Sequence, residues 1–174
     1  MKILLTDNEY KFIEMLARGR HFLKDIVVPD RELTRWNNTQ YESDLLGVMG
    51  EYAVSKALKI PFDTEVNLNG DGGETDLYLG EWSIQVKATK YNNGRLVFNT
   101  VEEMKSLIDV LTICDLKTKT VNIAGYISHK EMIKKMYKKN LGFGDRYCIN
   151  QDDLTDISWL SFYYLEWKKD ITKD

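Results

Sequence analysis

The chain has 174 residues, 43% of them hydrophobic and 29% charged, with a formal net charge of -3. That composition suits one compact globular domain, spanning residues 1–174, with a real core, and no low-complexity tract or internal repeat interrupts it. No run approaches ~18 apolar residues, which excludes a transmembrane helix and any expectation of a membrane partner. Asp7, Glu9 and Glu14 among the first residues argue against a signal peptide. The acidic balance speaks against tight, non-specific coating of DNA, while leaving room for a local basic patch.

Thr6 with Glu9 at the capping-box position opens a helix whose apolar set Tyr10, Phe12, Ile13 and Leu16 carries it to about Arg20. A polar stretch over 28–40 reads as a loop. Leu45, Leu46, Met49, Ala53, Val54, Ala57 and Leu58 then recur at helical spacing and predict a second helix from Tyr41 or Ser43 to Lys59, ended by Pro61. Gly47 and Gly50 lie inside it, each costing about 1 kcal/mol relative to alanine. Two readings of them stay open, close approach of a strand or simple tolerance.

The run Asn67 to Gly73 is a turn-rich approach to a hairpin. Thr75–Leu79 and Ser83–Ala88 flank Gly80 and Glu81, and along the second strand Ile84, Val86 and Ala88 point opposite to Gln85 and Lys87. Arg95–Phe98 predicts a short strand, with Tyr91 to Arg95 as a turn that could face a substrate. Val101–Ile108 predicts a helical turn or two. Val110–Cys114 and Val121–Ile127 are apolar strands, and a helix should run from Ser128 or His129 to Lys139. The tail from Leu141 is rich in aromatics, with Ser161–Glu166 read as a strand and Trp159, Phe162, Tyr163, Tyr164 and Trp167 as core or dimer surface. The order predicts an α/β fold in which a mixed central sheet is flanked by helices, its core at about 43–139.

Asp76, on the strand beside Gln85 and Lys87, can share their face of the hairpin. A carboxylate, an amide oxygen and an ammonium on one patch suit a divalent cation held against a phosphodiester. Mg²⁺ is a hard ion that prefers oxygen and keeps several waters. Asp76 would anchor it, Gln85 would offer a neutral oxygen, and the carbonyl of Val86 would be a third ligand. Lys87 would orient the water or offset developing charge. Glu51, if its helix packs there, would bind a second ion or reach the first through water.

Glu51, then Gly72-Gly73-Glu74-Thr75-Asp76-Leu77, then Gln85-Val86-Lys87 resembles the PD-(D/E)xK nuclease superfamily, which includes restriction endonucleases and archaeal-type Holliday junction resolvases. The resemblance covers roughly Ser43 to Ile133. It implies a restriction-endonuclease-like three-layer sandwich and cleavage of DNA with Mg²⁺, for which Mn²⁺ can substitute. It also implies Asp76 as principal metal ligand, Lys87 as catalytic lysine, Glu51 as accessory acid, and a homodimer, because two strands need two sites. Two positions depart from the pattern: Gln85 stands where an acid is usual, and Thr75 stands for the proline that names the motif. The first removes a negative charge from the site and leaves a second expectation, an inactive nuclease-fold module that binds nucleic acid or a protein; a third, an α/β domain whose hairpin is unrelated to nucleases, predicts Glu51 far from Asp76 and Lys87.

Lys130, Lys134 and Lys138 fall at i, i+4, i+8 of the helix expected over 129–139 and form a candidate phosphate-contacting face, against the commoner reading of a solvated face. Arg146, in a glycine-bearing loop, could add a backbone contact. His21 and His129 are too isolated for a zinc site and read as surface residues. Cys114 and Cys148 lack metal or redox spacing and read as free thiols of a cytoplasmic protein.

Overall fold

The computed structural model describes residues 1–27, 40–66, 75–142 and 144–171. The expected loop over 28–40 and the glycine-rich approach to Asp76, apart from Thr75, lie almost wholly outside them.

Strand β1 (Lys2–Leu4) is followed by helix α1 (Asp7–Val27) and helix α2 (Gln40–Leu58). The hairpin β2 (Leu77–Leu79) and β3 (Trp82–Thr89) leads to β4 (Leu96–Phe98), a 3-10 turn at Val101–Glu103, and the long strands β5 (Ile108–Asp115) and β6 (Thr120–Ser128). Helix α3 (His129–Lys135), strands β7 (Tyr137–Asn140) and β8 (Asp145–Ile149), a 3-10 turn at Gln151–Asp153 and helix α4 (Ser158–Ile171) complete the order.

The protein is mixed α/β. Five strands form one sheet in the order β1-β6-β5-β3-β2, with β3 and β5 parallel and the other pairs antiparallel. β5 lies at its centre and is buried from Ile108 to Cys114. A second sheet, β4-β8-β7, is antiparallel.

The two faces of the main sheet are covered differently. Ile84, Val86, Val110 and Tyr126 pack with Val54 of α2 and with Ile157, Leu160 and Tyr164 at the C-terminal helix. Helix α1 packs against α2 through Ile13, Leu16 and Ala17 with Leu45, Met49 and Ala53. On the other face Leu111 and Ile127 meet Leu96, Phe98, Met104, Met132 and Ile149, so the small sheet and α3 form the covering layer there. The expectation of helices on both faces therefore holds on one side, and a mainly β layer stands on the other.

Several elements differ from their sequence reading. The capping box forms, with the Glu9 amide donating to Thr6 Oγ1 at 3.3 Å and the Thr6 amide to Glu9 Oε2 at 2.7 Å. Helix α1 nevertheless continues beyond Arg20, because His21 and Lys24 reach Asp44 of α2 at 2.8 and 3.2 Å, polar contacts that hydrophobic periodicity does not register. The helix expected to reach Lys139 stops at Lys135. Met136 is extended (ψ 144°) and the following residues pair with β8, Lys138 opposite Tyr147 and Lys139 opposite Arg146. Lys130, Lys134 and Lys138 accordingly do not share a helix face; the first two stand on α3 and the third on β7. Arg146, expected in a loop, is in β8. Ser161–Glu166 is helix, not strand. Ile157, Leu160 and Tyr164 are buried at helical spacing, and Asp156 Oδ1 accepts the Ser158 amide at 2.8 Å, which starts the helix. The aromatics of this tail divide: Tyr164 is in the core, whereas Trp159, Phe162 and Tyr163 are about half exposed.

Candidate active site

The hairpin forms as its alternation requires. Gly80, at φ +59°, makes the turn, and Leu77 pairs with Ile84. Asp76 stands next along, opposite Gln85. Its amide donates to the Ile84 carbonyl at 3.0 Å and its Oδ2 accepts the Val86 amide at 2.6 Å. A carboxylate taking a backbone N–H at that distance makes a charge-assisted bond, which fixes the acid beside β3.

Gln85 and Lys87 project away from α2, as alternation predicts. The side of Val86 and Ala88 belongs to that helix: a Cβ on Gly50 would collide with the Thr112 hydroxyl and lie 3.2 Å from Ala88 Cβ. The Lys87 ammonium lies 5.4 Å from the centre of the Phe98 ring, under the small sheet. Asp76, Gln85 and Lys87 are thus brought together around one stretch of β3.

Glu51 follows Gly50 on α2, so strand β3 stands between its helix and the Lys87 side chain. Its Oε2 accepts from Arg20 Nη1 at 2.8 Å. This pair is largely buried, and Arg20 also donates from Nη2 to the Asp63 carbonyl at 3.1 Å. The pair ties α1 and α2 to the segment that leads toward the hairpin.

The residue that sequence reasoning missed is Asp109. It is the second residue of β5 and pairs across the parallel ladder with Gln85, so it projects to the same face as Gln85 and Lys87. It is fully buried, yet neither carboxylate oxygen has a hydrogen-bond partner among the described residues. The Gln85 Oε1 atom is likewise buried and unpartnered among the described residues. Buried polar atoms are nearly always satisfied, so three such oxygens on one patch are a signal of function. Burial pushes the Asp109 carboxyl up to about 7; the charge of Lys87 opposes this and that of Asp76 adds to it. The sequence sign is an acid placed just before the apolar run Val110–Cys114.

Among the described residues no three His, Cys, Asp or Glu side chains converge to hold a metal ion. The oxygen set at this patch is two carboxylates and one amide, which suits a hard cation that retains waters better than zinc. The two histidines, expected at the surface, are both partly buried: His21 lies against Asp44, and His129 keeps a buried Nδ1 without a partner among the described residues. Both cysteines are free and buried, and burial pushes the Cys114 thiol up to about 12, which makes it inert.

The outer basic residues have local partners. Lys134 pairs with Glu131 at 2.7 Å, and Lys138 lies 5.0 Å from the Tyr147 ring centre. Arg146 Nη1 donates to the Asp145 carbonyl at 3.0 Å, and Lys130 is exposed. None of the described helices is long and apolar enough to cross a membrane. Compared with known proteins, the chain matches no family model, no curated protein and no solved structure.

Proposed function

We propose that this chain is a metal-dependent DNA endonuclease that hydrolyses phosphodiester bonds in the manner of the PD-(D/E)xK nucleases, on a restriction-endonuclease-like variant of the α/β fold. The observation that carries the reading is the shared patch of Asp76, Gln85, Lys87 and Asp109, with three buried oxygens that have no partner among the described residues. Asp76, Gln85 Oε1 and Asp109 would hold Mg²⁺ or Mn²⁺, with the Val86 carbonyl at the same stretch of strand. The ion, when bound, supplies charge neutralisation and a more acidic water.

The protein's own groups do the rest. Asp76 is held beside β3 by the bond that its Oδ2 accepts from the Val86 amide. Lys87, kept under the small sheet by Phe98, sets a positive charge where a phosphoryl oxygen would become more negative. An accessory role for Glu51 would require its carboxylate to exchange Arg20 for an ion. Lys130 and Lys134 on α3, with Lys138 and Arg146 on the β7–β8 hairpin, are the outer contacts offered to the DNA backbone, as two separate groups.

Purified protein with Mg²⁺ or Mn²⁺ should cut DNA, and Asp76→Ala and Lys87→Ala should each abolish cutting while remaining folded. Full activity in either variant would reject the catalytic roles of Asp76 and Lys87. A second reading, a module that binds without cutting, is favoured by Gln85 in place of an acid and by the engagement of Glu51 with Arg20. Titration calorimetry separates the two: Mn²⁺ binding that disappears in Asp76→Ala supports the enzyme, and no binding by the parent protein supports the module.

A further inference from the structure

A cavity of about 570 Å³ opens beside Lys87, where β3, the turn over residues 90–95 and β4 meet. Among the described residues its wall carries two cations, Lys87 and Arg95, and no carboxylate. Neither cation has an ion-pair partner among the described residues, whereas neighbouring Lys90 is paired with Glu42 at 3.1 Å. In a chain of net charge -3, two unpaired cations on one cavity wall are a local reversal of sign.

The wall is also built in advance. Arg95 Nη1 donates to the Tyr137 hydroxyl at 2.9 Å, and that hydroxyl donates to Asn150 Oδ1 at 2.6 Å. Arg95 is therefore aimed by neutral groups that leave its charge available. Gln151 Nε2 donates to the carbonyls of Asn92 and Gly94, both at 2.8 Å, and the Gly94 amide closes the turn onto the Tyr91 carbonyl at 2.9 Å. Val97 and Leu111 give the cavity an apolar floor, and the Tyr91 ring is 38% exposed at its rim. An apolar floor, an exposed ring and a planar guanidinium beside an ammonium match a flat base joined to a phosphate. The volume lies in the range of small-molecule sites, about 300–1,000 Å³, and a base can enter such a space only after leaving its stack.

We propose that this cavity receives one unpaired nucleotide of a nucleic-acid strand, its base against Tyr91 and the Val97–Leu111 floor and its phosphate on Arg95 and Lys87. The proposal deepens the nuclease reading and rests on it, because the strand so held would run past Asp76 and Lys87.

Fluorescence anisotropy with a labelled single-stranded oligonucleotide in EDTA tests binding with no cutting. Arg95→Ala should weaken binding about tenfold or more and lower the salt slope by about one, as expected for a lost phosphate contact. Tyr137→Phe, which keeps the packing and releases the guanidinium, should lie between the two, and Arg95→Lys should recover part of the loss. Should Arg95→Ala fail to fold, these two milder variants decide the matter by the same measurement. Wild-type affinity in a folded Arg95 variant would overturn the proposal. So would a blunt duplex competing as well as the single strand, or a free mononucleotide competing as well as the strand. Strand binding that depends on Arg95, found together with no cutting in Mg²⁺, would count against the nuclease reading alone.

Discussion

Asp109 couples stability to pH, because its carboxyl is buried in the central strand with no hydrogen-bond partner among the described residues. Its carboxyl titrates near 7 when folded and near 3.9 when unfolded. Between about pH 4 and pH 7 the folded chain thus keeps a proton that the unfolded chain has released. Stability from this group is full below pH 4, is lost as pH rises through 7, and is flat above. A shift of that size corresponds to a few kcal/mol, at about 1.4 kcal/mol per pH unit. Asp109→Asn cannot ionise, so its stability relative to the parent should rise by roughly that amount between pH 4.5 and pH 8, whatever fixed cost the buried amide adds. Urea denaturation of both proteins across that range checks it, and parallel pH profiles would refute the assignment.

At the scale of elements, the two glycines of α2 separate cleanly. A Cβ at Gly47 would meet nothing nearer than Glu51 Oε1 at 3.9 Å, whereas one at Gly50 would press into Thr112, Ala88 and Val86. Gly47→Ala should stabilise the protein by up to about 1 kcal/mol through helix propensity. Gly50→Ala should destabilise it by up to about 2 kcal/mol, because overpacking costs roughly 1–3 kcal/mol against a helix-propensity gain of about 1 kcal/mol. Denaturation midpoints of the two variants should move in opposite directions, and a stabilised Gly50→Ala would show that the helix can withdraw from the sheet. The same comparison explains why the second helix was legible: its apolar period was strong, and only the meaning of its glycines was open. The last helix was misread as a strand because its aromatics favour strands in isolation, while burial of Ile157, Leu160 and Tyr164 at helical spacing decides otherwise.

For the whole molecule, the mixed sheet matters because it gathers acids from the β2 edge and β5 around a lysine on β3. Two carboxylates and an unpartnered amide oxygen at that point should be relieved by a divalent cation. Mg²⁺ or Mn²⁺ at about a hundredfold its dissociation constant should stabilise the fold by about 2.7 kcal/mol. A chain of this length then gains roughly 5–10 °C in melting temperature. Asp76→Ala should lose most of that gain. Equal shifts in both proteins, or none in the parent, would count against a cation at this patch.

Local pattern alone specifies the elements whose signals repeat: the capped first helix, the second helix, the hairpin, and the opposite facing of Gln85 and Lys87 from Val86. Those follow from side-chain alternation and helical period, which need no knowledge of distant neighbours. Long-range pairing, by contrast, sets Asp109 beside Gln85, gives Glu51 to Arg20, and joins β7 and β8 to β4, whose Phe98 lies against Lys87. Each depends on which strands become neighbours and in what register, and pairing between residues far apart in the chain leaves no period to read.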